Sequence, residues 1–128
     1  MMGRSMRGAR LTGAAALLAT ASAVHADGDA DRGAKRFEEC AACHTIDRNA
    51  SSVGPSLYGV FERQAGQLVD FRYSPALKRS GITWTAQTID RFIADPQAVV
   101  PANRMPYAGL PDAGGRADLI AFLQKTFK

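Results

Sequence analysis

The stretch Cys40-Ala41-Ala42-Cys43-His44 decides the chemistry of this sequence and, through that chemistry, its fold. Two thiols one helical turn apart can each form a thioether with a haem vinyl group, and the histidine that follows can then face the iron. The pattern therefore predicts one covalently attached haem c, held by Cys40 and Cys43. His44 is then the first axial ligand of the iron.

Other uses of paired cysteines compete with this interpretation: a thioredoxin-like dithiol, half of a zinc site, or a structural disulfide. The dithiol normally follows a strand, whereas Ala34 to Glu39 has the pattern of a helix. A zinc site needs more ligands, and beyond Ala26 the sequence has no third cysteine and no second histidine. Haem attachment remains the interpretation that these residues favour.

The first 26 residues have the pattern of a secretory signal peptide. An apolar stretch at residues 11–24 follows three basic residues, Arg4, Arg7 and Arg10, and it ends in the small-x-small signal Val24-His25-Ala26. We expect cleavage near Ala26, export to the bacterial periplasm and a mature domain at residues 27–128. A membrane anchor is the alternative, but ~14 helical residues rise only about 21 Å, short of the roughly 30 Å hydrocarbon core.

Removal of this leader changes the charge balance. The whole sequence has 16 basic and 12 acidic residues, but three of the basic residues and none of the acidic ones precede Asp27. The mature chain then carries 13 basic against 12 acidic residues, a balance of +1, which gives no support to nucleic-acid binding. No later segment reaches the ~18 apolar residues of a membrane span. We therefore expect no stable membrane insertion. We also expect a monomer.

The second axial ligand follows by elimination. Met1, Met2 and Met6 precede Ala26, so Met105 is the only methionine of the mature chain. A lone methionine is normally core filler, but this one lies in a proline-punctuated loop without helical periodicity. We predict that Met105 is the sixth iron ligand, which raises the reduction potential relative to two nitrogen ligands and leaves no open position for a substrate.

Hydrophobic periodicity predicts three helices, at residues 29–40, 85–94 and about 112–126, and a short helix can form at 74–79. Thr85 should cap the second of the three, with Ile89, Phe92 and Ile93 facing inward, and Pro96 should stop it. The stretches 49–70 and 99–110 have the composition of loops.

The first and last helices are expected to pack together. Gly33 and Phe37 lie four residues apart on one face, where Gly33 permits close backbone approach. Phe37 should then meet Leu119 or Phe122 of the last helix.

Several segments match a known family in its own order: Gly28-Asp29 with Gly33 and Phe37, Cys40 to Thr45, Gly54 to Arg63, Phe71 to Ser74, Gly81 to Trp84, Asp95-Pro96, Pro101 to Met105 and Arg116 to Leu123. Through these segments, almost all of the mature chain resembles the mitochondrial cytochrome c and bacterial cytochrome c2 group. The resemblance implies an all-α cytochrome c fold of three to five helices, with loops wrapped around one haem and the N- and C-terminal helices packed together.

The resemblance also implies roles for five further residues. The carbonyl of Pro55 would accept the proximal imidazole's proton, and Arg63 would lie near the haem propionates. Tyr73 and Trp84 would donate to the inner propionate, and Asn103 could donate to a propionate where the family commonly has a hydroxyl. From the residues alone, both aromatics are also compatible with ordinary core positions, and Arg63 with a solvated charge.

Some positions depart from the family's pattern. Phe92 falls where a tyrosine commonly bonds near the methionine sulfur, and Leu77 replaces a usual asparagine. The usual lysines around the haem edge are few, with Lys35, Lys78, Arg79 and Arg104 as the nearest candidates.

The leading hypothesis for function is a periplasmic carrier of single electrons, an electron-transfer protein and not an enzyme. Its donor would be a bc1-type complex or a dehydrogenase and its acceptor an oxidase or a reaction centre, met through weak, transient contacts. One alternative is a five-coordinate haem protein that binds a gas or activates peroxide, which requires Met105 to be absent from the iron. Another is a haem module held permanently by a larger dehydrogenase or oxidase.

Overall fold

The structure is a computed structural model that describes residues 27–48 and 50–127. Five helices lie in these ranges: α1 at Ala30–Ala41, α2 at Pro75–Lys78, α3 at Ala86–Ala94, α4 at Pro96–Val99 and α5 at Ala113–Thr126. Extended pairing in the same ranges is limited to an isolated antiparallel bridge between Gln64 and Thr83. The all-α fold class is thus confirmed. The expected leader lies outside the described residues.

Helix α1 begins and ends as its sequence dictates. The Asp29 carboxylate accepts hydrogen bonds from the backbone N–H groups of Asp31 and Arg32, at 2.9 and 2.8 Å, so an acid caps the positive end of the helix. At the other end, the N–H groups of Cys43 and His44 both donate to the carbonyl of Cys40, at 3.1 and 2.9 Å. The cysteine–histidine motif therefore forms the last turn of α1 and the chain directly after it.

Helices α1 and α5 pack at very short range, as predicted. A Cβ added to Gly33 would lie 2.0 Å from the carbonyl oxygen of Asp118, so the two backbones approach in a way that only glycine permits. The ring of Phe37 lies 5.2 Å from that of Phe122 and 5.8 Å from that of Phe127, centroid to centroid. The predicted contact of Phe37 with the last helix is confirmed.

A two-point ion pair fixes the same crossing. Arg32 donates through Nε and Nη2 to the two carboxylate oxygens of Asp118, at 2.8 and 2.9 Å, and the backbone N–H of Asp29 donates to that carboxylate at 2.7 Å. The Arg32 guanidinium holds the pKa of Asp118 below its usual range. These bonds are charge-assisted. The Asp118 side chain is only 11% exposed, whereas that of Arg32 is 64% exposed, so water competes on the guanidinium side of the pair.

The core continues from this crossing toward α3. Its buried cluster comprises Phe37, Val60, Ile89, Leu119, Ile120, Leu123 and Phe127. Helix α3 is aligned by the capping box of Thr85 and Thr88, each of which accepts from the other's backbone N–H. Its residue Phe92 is buried and packs edge to face on Trp84, with centroids 5.1 Å apart.

Helix α4 was not predicted. The expectation that Pro96 only stops a helix was incomplete, because this proline also begins the next one. The Asp95 carboxylate accepts from the N–H of Ala98 at 3.1 Å, which caps the new helix. The fixed φ of proline suits the first helical position, where its missing N–H costs nothing.

None of the helices in the described residues is long and apolar enough to cross a membrane.

Gly33→Ala should destabilise the protein strongly, because its methyl group would meet a backbone oxygen that cannot move unless the helices separate. We expect a loss of about 3 kcal/mol or more in the free energy of unfolding, measured by denaturant titration with circular dichroism. Gly114→Ala is the control, since the nearest atom to its Cβ is 3.6 Å away. This variant should be unchanged or up to about 1 kcal/mol more stable. Equal effects of the two substitutions would contradict the close crossing.

Candidate haem site

The site is built around the end of α1, to which a loop is attached by backbone hydrogen bonds. The N–H of Gly54 donates to the carbonyl of Cys43 at 2.8 Å, and the N–H of Leu57 donates to the carbonyl of Thr45 at 3.0 Å. These bonds pair the chain after the motif with residues 54–57. The pairing lays the loop alongside the His44 side chain.

The imidazole of His44 is held by one hydrogen bond in this loop. Its Nδ1 lies 2.7 Å from the carbonyl oxygen of Pro55, a group that can only accept, so Nδ1 carries the proton. The other nitrogen, Nε2, then keeps its lone pair for a metal ion. Burial is the main cause that lowers the pKa of His44, which keeps the ring neutral at neutral pH.

Gly54 is a functional residue that the sequence analysis missed. A Cβ at this position would lie 2.7 Å from Cε1 and 2.9 Å from Nδ1 of His44. The ring therefore occupies the space where any other residue would place its side chain. The glycine lies in a segment that matches the family's pattern, but nothing in the local sequence indicates contact with a histidine ten residues earlier.

The two cysteines are free, half-buried thiols. Burial, followed by the negative charge of Glu39, raises the pKa of Cys40 to about 11, so this thiol is protonated at neutral pH. Dithiol oxidoreductases depend on a lowered thiol pKa, which makes that alternative a poor fit. The zinc alternative also lacks support, because no group of three or more histidine, cysteine or acidic residues is placed to hold a metal ion within the described ranges.

Arg63 connects the residues expected near the propionates. It donates to the carbonyls of Ser56 and Tyr58 at 2.9 and 3.0 Å, which leaves three of its five N–H groups for other acceptors. Burial, the larger effect, lowers the pKa of His44, and the positive charge of Arg63 lowers it further. For Tyr73, burial raises the pKa, and the charge of Arg63 partly opposes that rise. The N–H of Trp84 donates to the Arg63 carbonyl at 2.9 Å. The fold thus brings four predicted site residues into one neighbourhood.

Asn103 has partners other than the expected propionate. Its two amide N–H groups donate to the carbonyls of Pro96 and Val100, each at 2.9 Å, and its Oδ1 accepts from the N–H of Met105 at 2.9 Å. Since both donors already have acceptors in the same loop, the geometry favours a role in holding the loop. The expectation of a propionate donor here rested on the family's pattern and not on this loop's geometry.

Tyr107 lies two residues after Met105. Burial, then the charges of Cys40 and Glu39, raise the pKa of this tyrosine. The candidate haem-edge cations Lys35, Lys78, Arg79 and Arg104 are all exposed.

The donor set fits a covalently held haem. The neutral imidazole presents one free nitrogen, two thiols lie at the end of a helix, and Met105 offers a thioether from another loop. A helical fold with this site defines the class of c-type haem proteins.

Comparison with known proteins gives the family. The family model for cytochrome c matches residues 30–127. Cytochrome c2 of Rhodoblastus acidophilus is 46% identical over 99 residues, which cover 77% of this chain and 92% of that protein. Cytochrome c2 iso-2 of Magnetospirillum fulvum is 42% identical over 88 residues, covering 69% and 92%. The solved structure of cytochrome cH from Methylobacterium extorquens is 39% identical and has a TM-score of 0.72, covering 77% of this chain and 99% of that one.

The chain therefore belongs to the cytochrome c family. Members bind one haem c covalently through a Cys-x-x-Cys-His motif, and Cys40 and Cys43 are present here. The protein is a monohaem electron carrier that works with redox partners and is not an enzyme.

Gly54→Ala tests the clearance around the imidazole. The new methyl group should push the His44 ring away from the Pro55 carbonyl, and we expect a loss of about 1–3 kcal/mol in the free energy of unfolding of the haem-loaded protein. The nuclear magnetic resonance signal of the Nδ1 proton should shift or exchange faster. Ser52→Ala, an exposed change two residues earlier, is the control. An unshifted Nδ1 proton in the Gly54 variant would contradict the contact.

Proposed function

We propose that Cys40 and Cys43 form the two thioether bonds to the haem, and that His44 and Met105 are the axial ligands of its iron. The observation that carries this proposal is the 2.7 Å hydrogen bond between His44 Nδ1 and the Pro55 carbonyl. It fixes the tautomer and the orientation of the ring, as hydrogen bonds to metal-bound histidines commonly do. A surface histidine would need neither a glycine beside its ring nor a half-buried carbonyl to accept its Nδ1 proton.

The function that follows is the exchange of single electrons between redox proteins. The haem supplies a change of one electron between the ferrous and ferric states. In both oxidation states, the protein would hold the ring of His44 and the loop of Met105 in the same place. If His44 and Met105 both hold the iron, no position would be open for a substrate, which would favour a carrier over the gas-binding or peroxide-activating alternative.

The propionate side is proposed to be served by Arg63, Tyr73 and Trp84. Three N–H groups of Arg63 remain available, and the guanidinium is half-buried, where a nearby anion is attracted more strongly than in water. Phe92 packs on Trp84 and has no hydroxyl group to offer a methionine sulfur. The hydrogen bond that a tyrosine would give at this position is therefore absent.

We further propose that the carrier works in the bacterial periplasm. The pattern of residues 1–26 supports export, and residues 27–128 are then the mature domain. Its donor would be a bc1-type complex or a dehydrogenase, and its acceptor an oxidase or a reaction centre. A haem module bound permanently to a larger enzyme is the competing arrangement, and it would be seen as stable co-purification.

Met105→Ala tests the ligand assignment. Loss of the thioether should open the iron, so that the ferrous protein binds carbon monoxide readily, and should lower the reduction potential. The weak ferric absorption band from methionine-to-iron charge transfer should disappear while the haem stays attached. Arg104→Ala, at the exposed neighbouring position, is the control and should keep the band. A Met105 variant with native absorbance and potential would show that the assignment is wrong.

Export can be tested by expressing the full chain in a bacterium with a haem-attachment system. Mass spectrometry of the periplasmic protein should give an N-terminus at Asp27, within about two residues, and a mass increased by one haem. Full-length protein that stays in the membrane fraction would instead support the anchor.

A further inference from the structure

The side chain of Asn103 forms the centre of a hydrogen-bonded loop that includes Met105. It is 8% exposed, and its amide makes three hydrogen bonds of 2.9 Å: two donated to the carbonyls of Pro96 and Val100, and one accepted from the N–H of Met105. One buried side chain thus joins both ends of α4 to the residue that presents the thioether. A buried amide whose two N–H groups and oxygen all have hydrogen-bond partners is a structural cross-link and not a solvated polar group.

Gln97 makes a second cross-link in the same loop. Its Nε2 donates to the main-chain carbonyl of Asn103 at 3.1 Å, and its Oε1 accepts from the N–H of Ala102 at 3.2 Å. Ala102 has a φ of 67°, in the left-handed region that residues with a Cβ rarely adopt. The Gln97 side chain therefore holds a strained residue in place, three positions before Met105.

We propose that Asn103 and Gln97 are positioning residues for Met105, which hold residues 96–105 closed and so control how often an external ligand can replace the thioether. This proposal rests on the ligation of iron by Met105 proposed above. The two side chains do not touch the iron in this scheme. They act through the loop, by setting the fraction of molecules in which it is open.

The expected size of the effect follows from the hydrogen bonds that opening must break. Each neutral hydrogen bond changes an equilibrium constant by roughly two- to tenfold, and a buried group left without a partner costs more. Asn103 contributes three bonds from a buried position, whereas Gln97 contributes two from an exposed one. Removal of the asparagine side chain should therefore have the larger effect. Gln97→Ala removes the oxygen that accepts from the Ala102 N–H, and the backbone strain at Ala102 then favours the open form.

The test is the rate of carbon monoxide binding to the reduced, haem-loaded protein at concentrations below saturation, where the rate follows the fraction of open loop. We expect Asn103→Ala to raise this rate by about ten- to a hundredfold and Gln97→Ala by about two- to tenfold. Gln97→Glu, which keeps the acceptor for Ala102 but loses the donor to Asn103, should lie between Gln97→Ala and the wild type. Hydrogen exchange of the Met105 amide should accelerate in parallel in Asn103→Ala.

Two controls separate loop opening from general instability. Gln87→Ala removes an exposed glutamine of α3 and should leave the rate unchanged. Ile120→Val weakens the buried core in α5, outside residues 96–105, and lowers global stability. If carbon monoxide entered through global unfolding, Ile120→Val would raise the rate as Asn103→Ala does, and that result would overturn the proposal.

The outcome in the wild type distinguishes this proposal from the one on which it rests. Slow binding in the wild type together with unchanged rates in both loop variants would overturn the positioning roles and leave Met105 as the ligand. Binding in the wild type as fast as in Met105→Ala would overturn both, because no thioether would then be there to position.

Discussion

The backbone contact between Gly33 and Asp118 is the constraint on which the position of the haem-attachment motif depends. From Gly33 to Cys40 is about two helical turns, or roughly 10 Å of rigid rod, so the crossing of α1 over α5 determines where the thiols and His44 lie. The ion pair of Arg32 with Asp118 adds directionality, because a fork of two N–H groups meets both carboxylate oxygens in one orientation. A packing contact and a polar contact thus act on the same helix at nearly the same point.

Helix packing ends at the motif, and the loop segments that follow it combine apolar anchors such as Val60 with hydrogen bonds to loop carbonyls. The hydroxyl of Ser56, in a residue only 2% exposed, donates to the carbonyl of Asp47 and accepts from the N–H of Tyr58. Arg63 takes two further carbonyls. Buried backbone groups need such partners, and here they come from side chains instead of a sheet. Pro55, between Gly54 and Ser56, is thereby fixed as an acceptor for the imidazole.

The sequence predicts what is local and periodic. Helices α1, α3 and α5 were predicted because each has a polar cap and an apolar face, and the contact of Phe37 with α5 follows from those faces. Helix α4 was missed because four residues show no periodicity. The clearance at Gly54 and the partners of Asn103 depend on distances between segments, which local patterns do not contain. The left-handed backbone of Ala102, which closes the loop around Asn103, cannot be predicted from its residue type, because alanine rarely adopts that conformation.

The two sides of the proposed iron site are anchored to different depths of the fold. His44 lies three residues beyond the end of α1 and is hydrogen-bonded to Pro55, in the loop that leads to the core residue Val60. Moving His44 would therefore disturb the packing around the helix crossing. Met105 lies in a loop whose side-chain hydrogen bonds are made mainly within residues 96–105. The end of this loop is joined to α3 by the bond from the N–H of Leu110 to the carbonyl of Ile93, and to α5 by Arg116, which donates to the carbonyl of Leu110. Segments tied by few long-range contacts open at lower free energy than the core. If the proposed ligands are correct, the methionine side is therefore where ligation of the iron would change while the cysteines, the histidine and the core stay in place.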